Sequence, residues 1–122
     1  MEKIENGMKI IGYKGNLPII QIKYSSQQPD RFTGIIEFVD WRGRVSEIEY
    51  YFDGLLHRED GPAIIQSPNF KAWYINGERH REDGPAVQYS DGDCEYHLHD
   101  QWYNSKELYD AALKKLKFNR EI

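Results

Sequence analysis

The chain has 122 residues and a net charge of −4, with 30% of its residues charged and 14% aromatic. This length supports one hydrophobic core, and the composition is typical of a folded sheet protein rather than a disordered chain. The single cysteine, Cys94, excludes an intramolecular disulfide and favours a reducing compartment. No apolar run approaches the roughly 18 residues of a membrane span. Because the N-terminus also shows no apolar signal-peptide core, the sequence predicts a cytoplasmic protein.

The first 46 residues predict strands without a clear repeat. Alternating apolar residues and flanking turn residues indicate strands at 8–13 and 18–24, and a hairpin of 34–39 with 45–52. That hairpin is interpreted as a degenerate opening repeat. Two arrangements stay open for this segment: its strands pair with the free edge of the sheet that follows, or they cover one of its faces.

From residue 47 the chain repeats with a period of 23 residues. The sequence HREDGPA at 57–63 returns unchanged at 80–86, and Gly54 returns as Gly77. A third copy keeps the aromatic strand, but it has Asp100 in place of the glycine and no HREDGPA. Such identity defines an internal repeat, and a degenerate last copy is typical of the end of an array. The repeats predict further strands at 63–66, 70–75, 86–90 and 95–99.

Each repeat contains two turn signals. Asp-Gly at 53–54 and Asn-Gly at 76–77 supply the positive φ angles of a two-residue hairpin turn. HREDGPA predicts a second turn, in which glycine is free to be left-handed and proline fixes φ. Its predicted structural residues are His57, Asp60, Gly61 and Pro62 in the first copy and His80, Asp83, Gly84 and Pro85 in the second. We expect each histidine to reach the aspartate three residues later, so that the corner satisfies its own polar groups.

The C-terminal segment predicts a helix over 105–119. Ser105 is a favourable N-cap. One apolar stripe at helical spacing follows, formed by Leu108, Tyr109, Ala112, Leu113 and Leu116. We expect this helix to lie across the sheet or to cover its last edge, in preference to binding a partner.

The repeat unit, Tyr/Trp-Tyr-x-Asn/Asp-Gly-x-x-His-Arg-Glu-Asp-Gly-Pro-Ala, resembles the MORN-like repeats of small proteins of tailed bacteriophages and large viruses. The resemblance spans roughly residues 47–108. It implies stacked β-hairpins that act as a scaffold or a binding surface, with the last repeat running into a short helix. We therefore predict a mainly β fold, an antiparallel meander of hairpin repeats with one C-terminal α-helix. The predicted single domain comprises N-terminal strands (1–46), a repeat sheet (47–104) and a helix (105–119).

Strand parity predicts which side chains share a face. The predicted core face contains Tyr50, Phe52, Trp73, Ile75, Tyr96 and Leu98. The opposite face contains Tyr51, Tyr74 and His97. Two interpretations of that second row stay open: an exposed surface that binds a protein, or a row that is stacked within the sheet or covered by the N-terminal strands.

Charge is concentrated in the repeats. Residues 47–100 contain 12 acidic and 4 basic residues, a net charge of −8. Such a field disfavours direct binding of nucleic acids and membranes and favours a protein partner with a basic surface. The candidate binding residues are the four corner acids Glu59, Asp60, Glu82 and Asp83, together with Tyr51, Tyr74 and His97.

Catalysis is not favoured by the sequence. His97 and His99 form a His-x-His pair that a metal could use, but no second ligand pair follows at zinc-site spacing. The His and Asp residues of the corners occur in duplicate, and identical copies within one small domain are better explained by structure than by an active site. We expect no enzyme activity, no metal and no cofactor.

These observations predict a non-enzymatic protein-binding module. The phage resemblance implies a modulator or inhibitor of a host or defence protein that acts by surface occlusion in the host cytoplasm. Three alternatives stay open: an acidic antitoxin-like or nucleic-acid-mimicking inhibitor, a structural or assembly component whose sheet edges form a homo-oligomer, and a metal-dependent hydrolase centred on His97 and His99.

Overall fold

The structure is a computed structural model that describes residues 3–5, 8–23 and 30–121. Its strands are β1 (Lys3–Glu5), β2 (Met8–Lys14), β3 (Leu17–Lys23), β4 (Gly34–Val39), β5 (Val45–Phe52), β6 (Leu55–Leu56), β7 (Ile64–Gln66), β8 (Phe70–Ala72), β9 (Tyr74–Ile75), β10 (Glu78–Arg79), β11 (Val87–Gln88), β12 (Cys94–Leu98) and β13 (Gln101–Tyr103). One helix, α1 (Lys106–Arg120), follows. The predicted end of the second strand at Tyr24 lies outside the described residues.

Most strands join one large sheet in the order β1-β2-β3-β4-β5-β7-β8-β11-β12-β13, with β6 paired to β5. The predicted fold class, mainly β with consecutive hairpins and one C-terminal helix, is confirmed. One pair departs from the antiparallel meander, because β3 and β4 run parallel. The N-terminal strands thus continue the repeat sheet through β4 and β5, which corresponds to the first of the two arrangements considered for them.

Three equivalent hairpin turns recur at the repeat period. Both central residues have positive φ in each: 50° and 83° at Asp53 and Gly54, 50° and 82° at Asn76 and Gly77, and 47° and 66° at His99 and Asp100. This is the conformation of the type I′ turn that the Asp-Gly and Asn-Gly pairs predict. Each turn also binds an earlier segment of the chain: the Gly54 N–H donates to Phe32 O at 2.8 Å, the Gly77 N–H to Leu56 O at 2.8 Å and the Asp100 N–H to Arg79 O at 2.9 Å.

Apolar side chains are buried on both faces of β5. On one face Tyr51 packs with Ile10, Ile20, Ile22, Phe32, Ile36 and Phe38, and on the other Tyr50 packs with Ile35 and Ala63. The predicted one-sided core is therefore only partly correct. Tyr50 and Leu98 are buried, Trp73, Ile75 and Tyr96 are half-buried, and Phe52 is 56% exposed. Phe52 is exposed because it is the last residue of β5, where the strand leaves the core.

The helix has the predicted N-cap, since the Leu108 N–H donates to the Ser105 side chain at 3.2 Å. Of the predicted stripe, Tyr109 is buried, the Ala112, Leu113 and Leu116 side chains are half-buried, and Leu108 is exposed. The helix contacts β12 and β13. It therefore covers the end of the sheet, as expected for the close of a repeat array.

Glu49 is a buried acid in the centre of β5, and the Tyr51 hydroxyl donates to its Oε1 at 2.6 Å. Burial, with a further contribution from the neighbouring Glu47 side chain, raises the pKa of Glu49 from 4.5 to about 8. The folded protein therefore keeps a proton on Glu49 that the unfolded chain releases above its ordinary pKa.

We predict that the free energy of unfolding decreases by roughly 2–4 kcal/mol as pH rises through the window from about 4.5 to 8, because the unfolded state binds fewer protons there. Glu49→Gln should remove this decrease, and Asp93→Asn at an exposed turn should keep it. Urea denaturation at a series of pH values measures the effect. A wild-type slope that persists in Glu49→Gln would contradict the assignment.

Candidate functional site

The two HREDGPA segments, the first corner (57–63) and the second corner (80–86), have the same geometry. In the first, the Arg58 guanidinium lies 4.0 Å from the centre of the Tyr50 ring. Its Nε donates to Asp60 Oδ1 at 2.9 Å, and its NH1 group donates to Pro62 O at 3.1 Å. The ring, the carboxylate and the carbonyl together hold the guanidinium against the sheet.

In the second corner, Arg81 stacks 3.9 Å from the centre of the Trp73 ring and donates to Asp83 Oδ1 at 2.9 Å and to Pro85 O at 3.1 Å. The aromatic residue precedes the arginine by eight positions in both copies. Sequence reasoning missed these arginines, although the repeated arginine and the repeated aromatic residue at this constant distance are the signal that could have found them.

The corner glycine provides space rather than a left-handed conformation. Neither Gly61 nor Gly84 has a positive φ, so that prediction is wrong. A Cβ atom on Gly61 would lie 2.9 Å from Arg58 Cζ, and one on Gly84 would lie 2.9 Å from Arg81 Cζ. The arginine occupies the volume that any other side chain would need.

The corner histidines bind the next repeat rather than their own aspartate. His57 Nδ1 accepts the Asn76 N–H at 2.9 Å, and His80 Nδ1 accepts the His99 N–H at 2.9 Å. The expected contacts of these histidines with Asp60 and Asp83 are therefore wrong, because the arginines take those carboxylates. Since Nδ1 accepts, a neutral ring carries its proton on Nε2, which faces the glutamate two residues later.

Backbone bonds also connect each corner to the following repeat. The Arg58 N–H donates to Tyr74 O at 3.1 Å, and the Arg81 N–H donates to His97 O at 3.3 Å. The helix replaces the absent third corner: the Tyr109 ring lies 4.7 Å from the Tyr96 ring, and its hydroxyl donates to Arg81 O at 2.6 Å. Tyr109 thus covers Tyr96 as Arg58 and Arg81 cover the equivalent aromatic rings.

We predict that Gly84→Ala lowers the free energy of unfolding by roughly 1–3 kcal/mol, because the new methyl group displaces Arg81 from Trp73 and from its two acceptors. Gly12→Ala is the matched control, since a Cβ there would meet nothing within 4 Å. Denaturant titration of the single variants and of Arg81→Ala/Gly84→Ala measures the coupling. A Gly84→Ala cost that is unchanged when Arg81 is absent would contradict this account.

Two cavities of about 560 Å³ and 690 Å³ lie along the corners. The first corner pocket is lined by Tyr50, Phe52, His57, Arg58, Glu59 and Asp60, and the second corner pocket by Trp73, Ile75, His80, Arg81, Glu82 and Asp83. Each residue of one set has its counterpart 23 positions away in the other. The cavities are therefore repeat-equivalent, and the first corner forms a wall shared by both.

The corners point their carboxylates outward and their guanidiniums inward. The side chains of Glu59, Asp60 and Asp83 are 85%, 84% and 86% exposed, whereas those of Arg58 and Arg81 are 15% and 20% exposed. The hydrogen bond from Arg58 lowers the pKa of Asp60, so this carboxylate stays charged. Solvent and any partner thus meet negative charge first.

Glu82 differs from its counterpart Glu59. The Arg120 guanidinium, on the last residue of α1, binds both Glu82 oxygens, and His80 Nε2 lies 2.7 Å from Oε2. The hydrogen bond from Arg120 is the main cause that lowers the pKa of Glu82 to about 2. Of the four corner acids proposed as binding residues, Glu59, Asp60 and Asp83 are therefore largely exposed, and Glu82 is largely covered.

The predicted row of Tyr51, Tyr74 and His97 does not form an exposed surface. Tyr51 is buried beside the N-terminal strands and donates to Glu49, and His97 is buried with Nε2 2.9 Å from Glu95 Oε1. Tyr74 is half-buried, and its hydroxyl accepts from Arg79 Nε at 3.3 Å. The exposed alternative is wrong for Tyr51, which packs in the apolar cluster that contains Ile20 and Phe32, and for His97, which is 3% exposed.

The His-x-His pair is divided between two environments. His97 is buried next to Glu95, whereas His99 lies in the hairpin turn, stacks 4.1 Å from the His80 ring and approaches Glu78 Oε1 at 3.2 Å. The prediction that both imidazoles share one face required an extended strand through His99. The positive φ of His99 ends that strand, so the two rings do not lie side by side. Across residues 3–5, 8–23 and 30–121, no three His, Cys, Asp or Glu side chains are arranged to hold a metal ion.

No family model matches the chain, and no curated protein or solved structure is significantly similar to it. Among the described residues, no helix is long and apolar enough to span a membrane. The resemblance to MORN-like repeats stays a prediction, carried by the repeat sequence alone.

Proposed function

We propose that this chain is a non-enzymatic protein-binding module whose two corners occupy a basic surface of a partner protein. The observation that carries the proposal is the pair of repeat-equivalent cavities bordered by outward carboxylates. Charges of one sign along a groove attract a complementary surface and fix its orientation. The half-buried Trp73 and the exposed Phe52 add apolar contact area of the kind that interfaces use.

The duplicated polar residues support a binding role over a catalytic one. Arg58 and Arg81 hold their corners together, and His57 and His80 accept backbone N–H groups of the next repeat. These side chains have structural partners in both copies, so a reaction is not needed to account for them. The exposed acids have no such structural explanation beyond the single bond that Asp60 and Asp83 each accept.

The proposed setting follows from the repeat sequence. Its resemblance to repeats of phage proteins makes a host or defence protein the natural partner, bound by surface occlusion in the cytoplasm. The single exposed thiol, Cys94, is compatible with that reducing compartment.

Affinity capture from host-cell lysate tests the proposal with two variants of identical net charge. Glu59→Lys reverses a rim carboxylate that is not bound to an arginine, and Asp93→Lys reverses an exposed acid in the turn before β12. We predict that the wild-type protein and Asp93→Lys retain one stoichiometric partner. Retention by Glu59→Lys should decrease by about tenfold or more, and rising salt should weaken all of the complexes.

Two results would contradict the proposal. One is the absence of any stoichiometric partner for the wild-type protein at low salt. The other is equal retention by Glu59→Lys and Asp93→Lys, which would place the interface away from the corners. Circular dichroism of each variant checks that the sheet is intact.

A further inference from the structure

The two corner pockets share six repeat-equivalent lining residues but differ in the partner of their glutamate. Tyr50 and Trp73 form the aromatic floors, and His57 and His80 hold equivalent places with Nδ1 committed to a backbone N–H. The glutamates that follow, Glu59 and Glu82, are therefore equivalent in sequence and in position. Any difference in their exposure or binding partner therefore comes from the residues around each pocket that do not repeat.

The second corner pocket contains an arginine of the chain itself. Arg120 extends from the end of α1, and both of its terminal nitrogens donate to Glu82, one to each carboxylate oxygen. This two-point pairing matches the fork of a guanidinium to a carboxylate and favours arginine over lysine. With Arg120 bound, Glu82 folds onto His80 and its side chain is only 26% exposed.

Among the residues that the structure describes, no arginine is paired with Glu59 in the first corner pocket. The Glu59 side chain is 85% exposed, and His57 Nε2 lies 3.9 Å from its Oε2, compared with 2.7 Å at the equivalent pair in the second corner. The helix packs on β12 and β13, at the end of the repeat array, and its residues line the second corner pocket. The equivalent glutamates therefore border two open cavities, and they differ in that Glu82 is bound to Arg120 beside a cavity of about 690 Å³, whereas Glu59 is exposed beside a cavity of about 560 Å³.

We infer that the first corner pocket is a receptor for one arginine side chain of the partner protein, bound to Glu59 as Arg120 is bound to Glu82. This inference rests on the proposed function and specifies its partner chemistry. The guanidinium would pair with both Glu59 oxygens, and its methylene groups would lie against Phe52 and Leu17, which also line the pocket. Binding would draw Glu59 towards His57, as at the second corner.

The cations that already line the first pocket do not oppose this assignment. Arg58 is neutralised by Asp60 and turned onto Tyr50. Lys14 also lines the pocket, and its Nζ donates to the Tyr50 hydroxyl at 2.8 Å. The second pocket is also lined by two cations, Arg81 and Lys117, and still accommodates Arg120. Local positive charge is thus compatible with an arginine at this position.

The test is a titration with Nα-acetyl-arginine amide, followed by amide NMR shifts of the full chain. In the wild-type protein we expect saturable shifts at residues 57–60 and none at 80–83, where Arg120 competes. Arg120→Ala should add a second set of shifts at 80–83, and Glu59→Gln should abolish the first set. Nα-acetyl-citrulline amide, the neutral isostere, should bind at least about tenfold more weakly at the first corner, and at both corners of Arg120→Ala.

Three results would overturn the inference: no shifts at 57–60, equal shifts at both corners of the wild-type protein, or equal binding of the citrulline probe. Failure here is distinguishable from failure of the proposed function. A partner captured through Glu59 without a response to the arginine probe would keep the binding module and reject the arginine receptor. A specific arginine response with no captured partner would keep the pocket and reject the module.

Discussion

The interaction on which the structure depends is the stacking of Arg58 on Tyr50 and of Arg81 on Trp73, in space that Gly61 and Gly84 leave empty. Each guanidinium connects an aromatic ring of the sheet to a carboxylate and to a carbonyl of its own corner. The arginine therefore holds each corner against an aromatic residue that precedes it by eight positions. A stacked arginine thus stabilises each corner in a domain whose apolar core is small.

The corners also make the repeats mutually dependent. Each histidine accepts a backbone N–H of the following turn, so a repeat is complete only when the next one is folded. The array ends where Tyr109 of the helix takes the position of a third arginine over Tyr96. Arg120, at the far end of the same helix, then reaches back to Glu82. The helix closes the array at two points and occupies one of the two pockets that the corners create.

Local signals in the sequence predict the parts of the fold that local chemistry decides. The Asp-Gly and Asn-Gly pairs identify two type I′ turns, and Ser105 identifies the start of the helix. Contacts that form only in the assembled sheet are harder to predict from the sequence. Strand parity places Tyr51 on a face but does not show which side chains pack against it, and the exposed interpretation failed because Phe32 and residues of the N-terminal strands bury that ring. The ion pair between Glu82 and Arg120 could not be predicted from the sequence either, because the two residues are 38 positions apart in the chain.

Both corner arginines are held by the same geometry, an aromatic ring on one side and an aspartate carboxylate on the other. NMR of the arginine Nε–H groups is the measurement to make first. We expect slowly exchanging Nε–H signals for Arg58 and Arg81, each with cross-peaks to the Tyr50 or Trp73 ring, because both hydrogens are bonded to aspartate. Arginine signals that exchange freely with solvent and show no contact with either ring would contradict it.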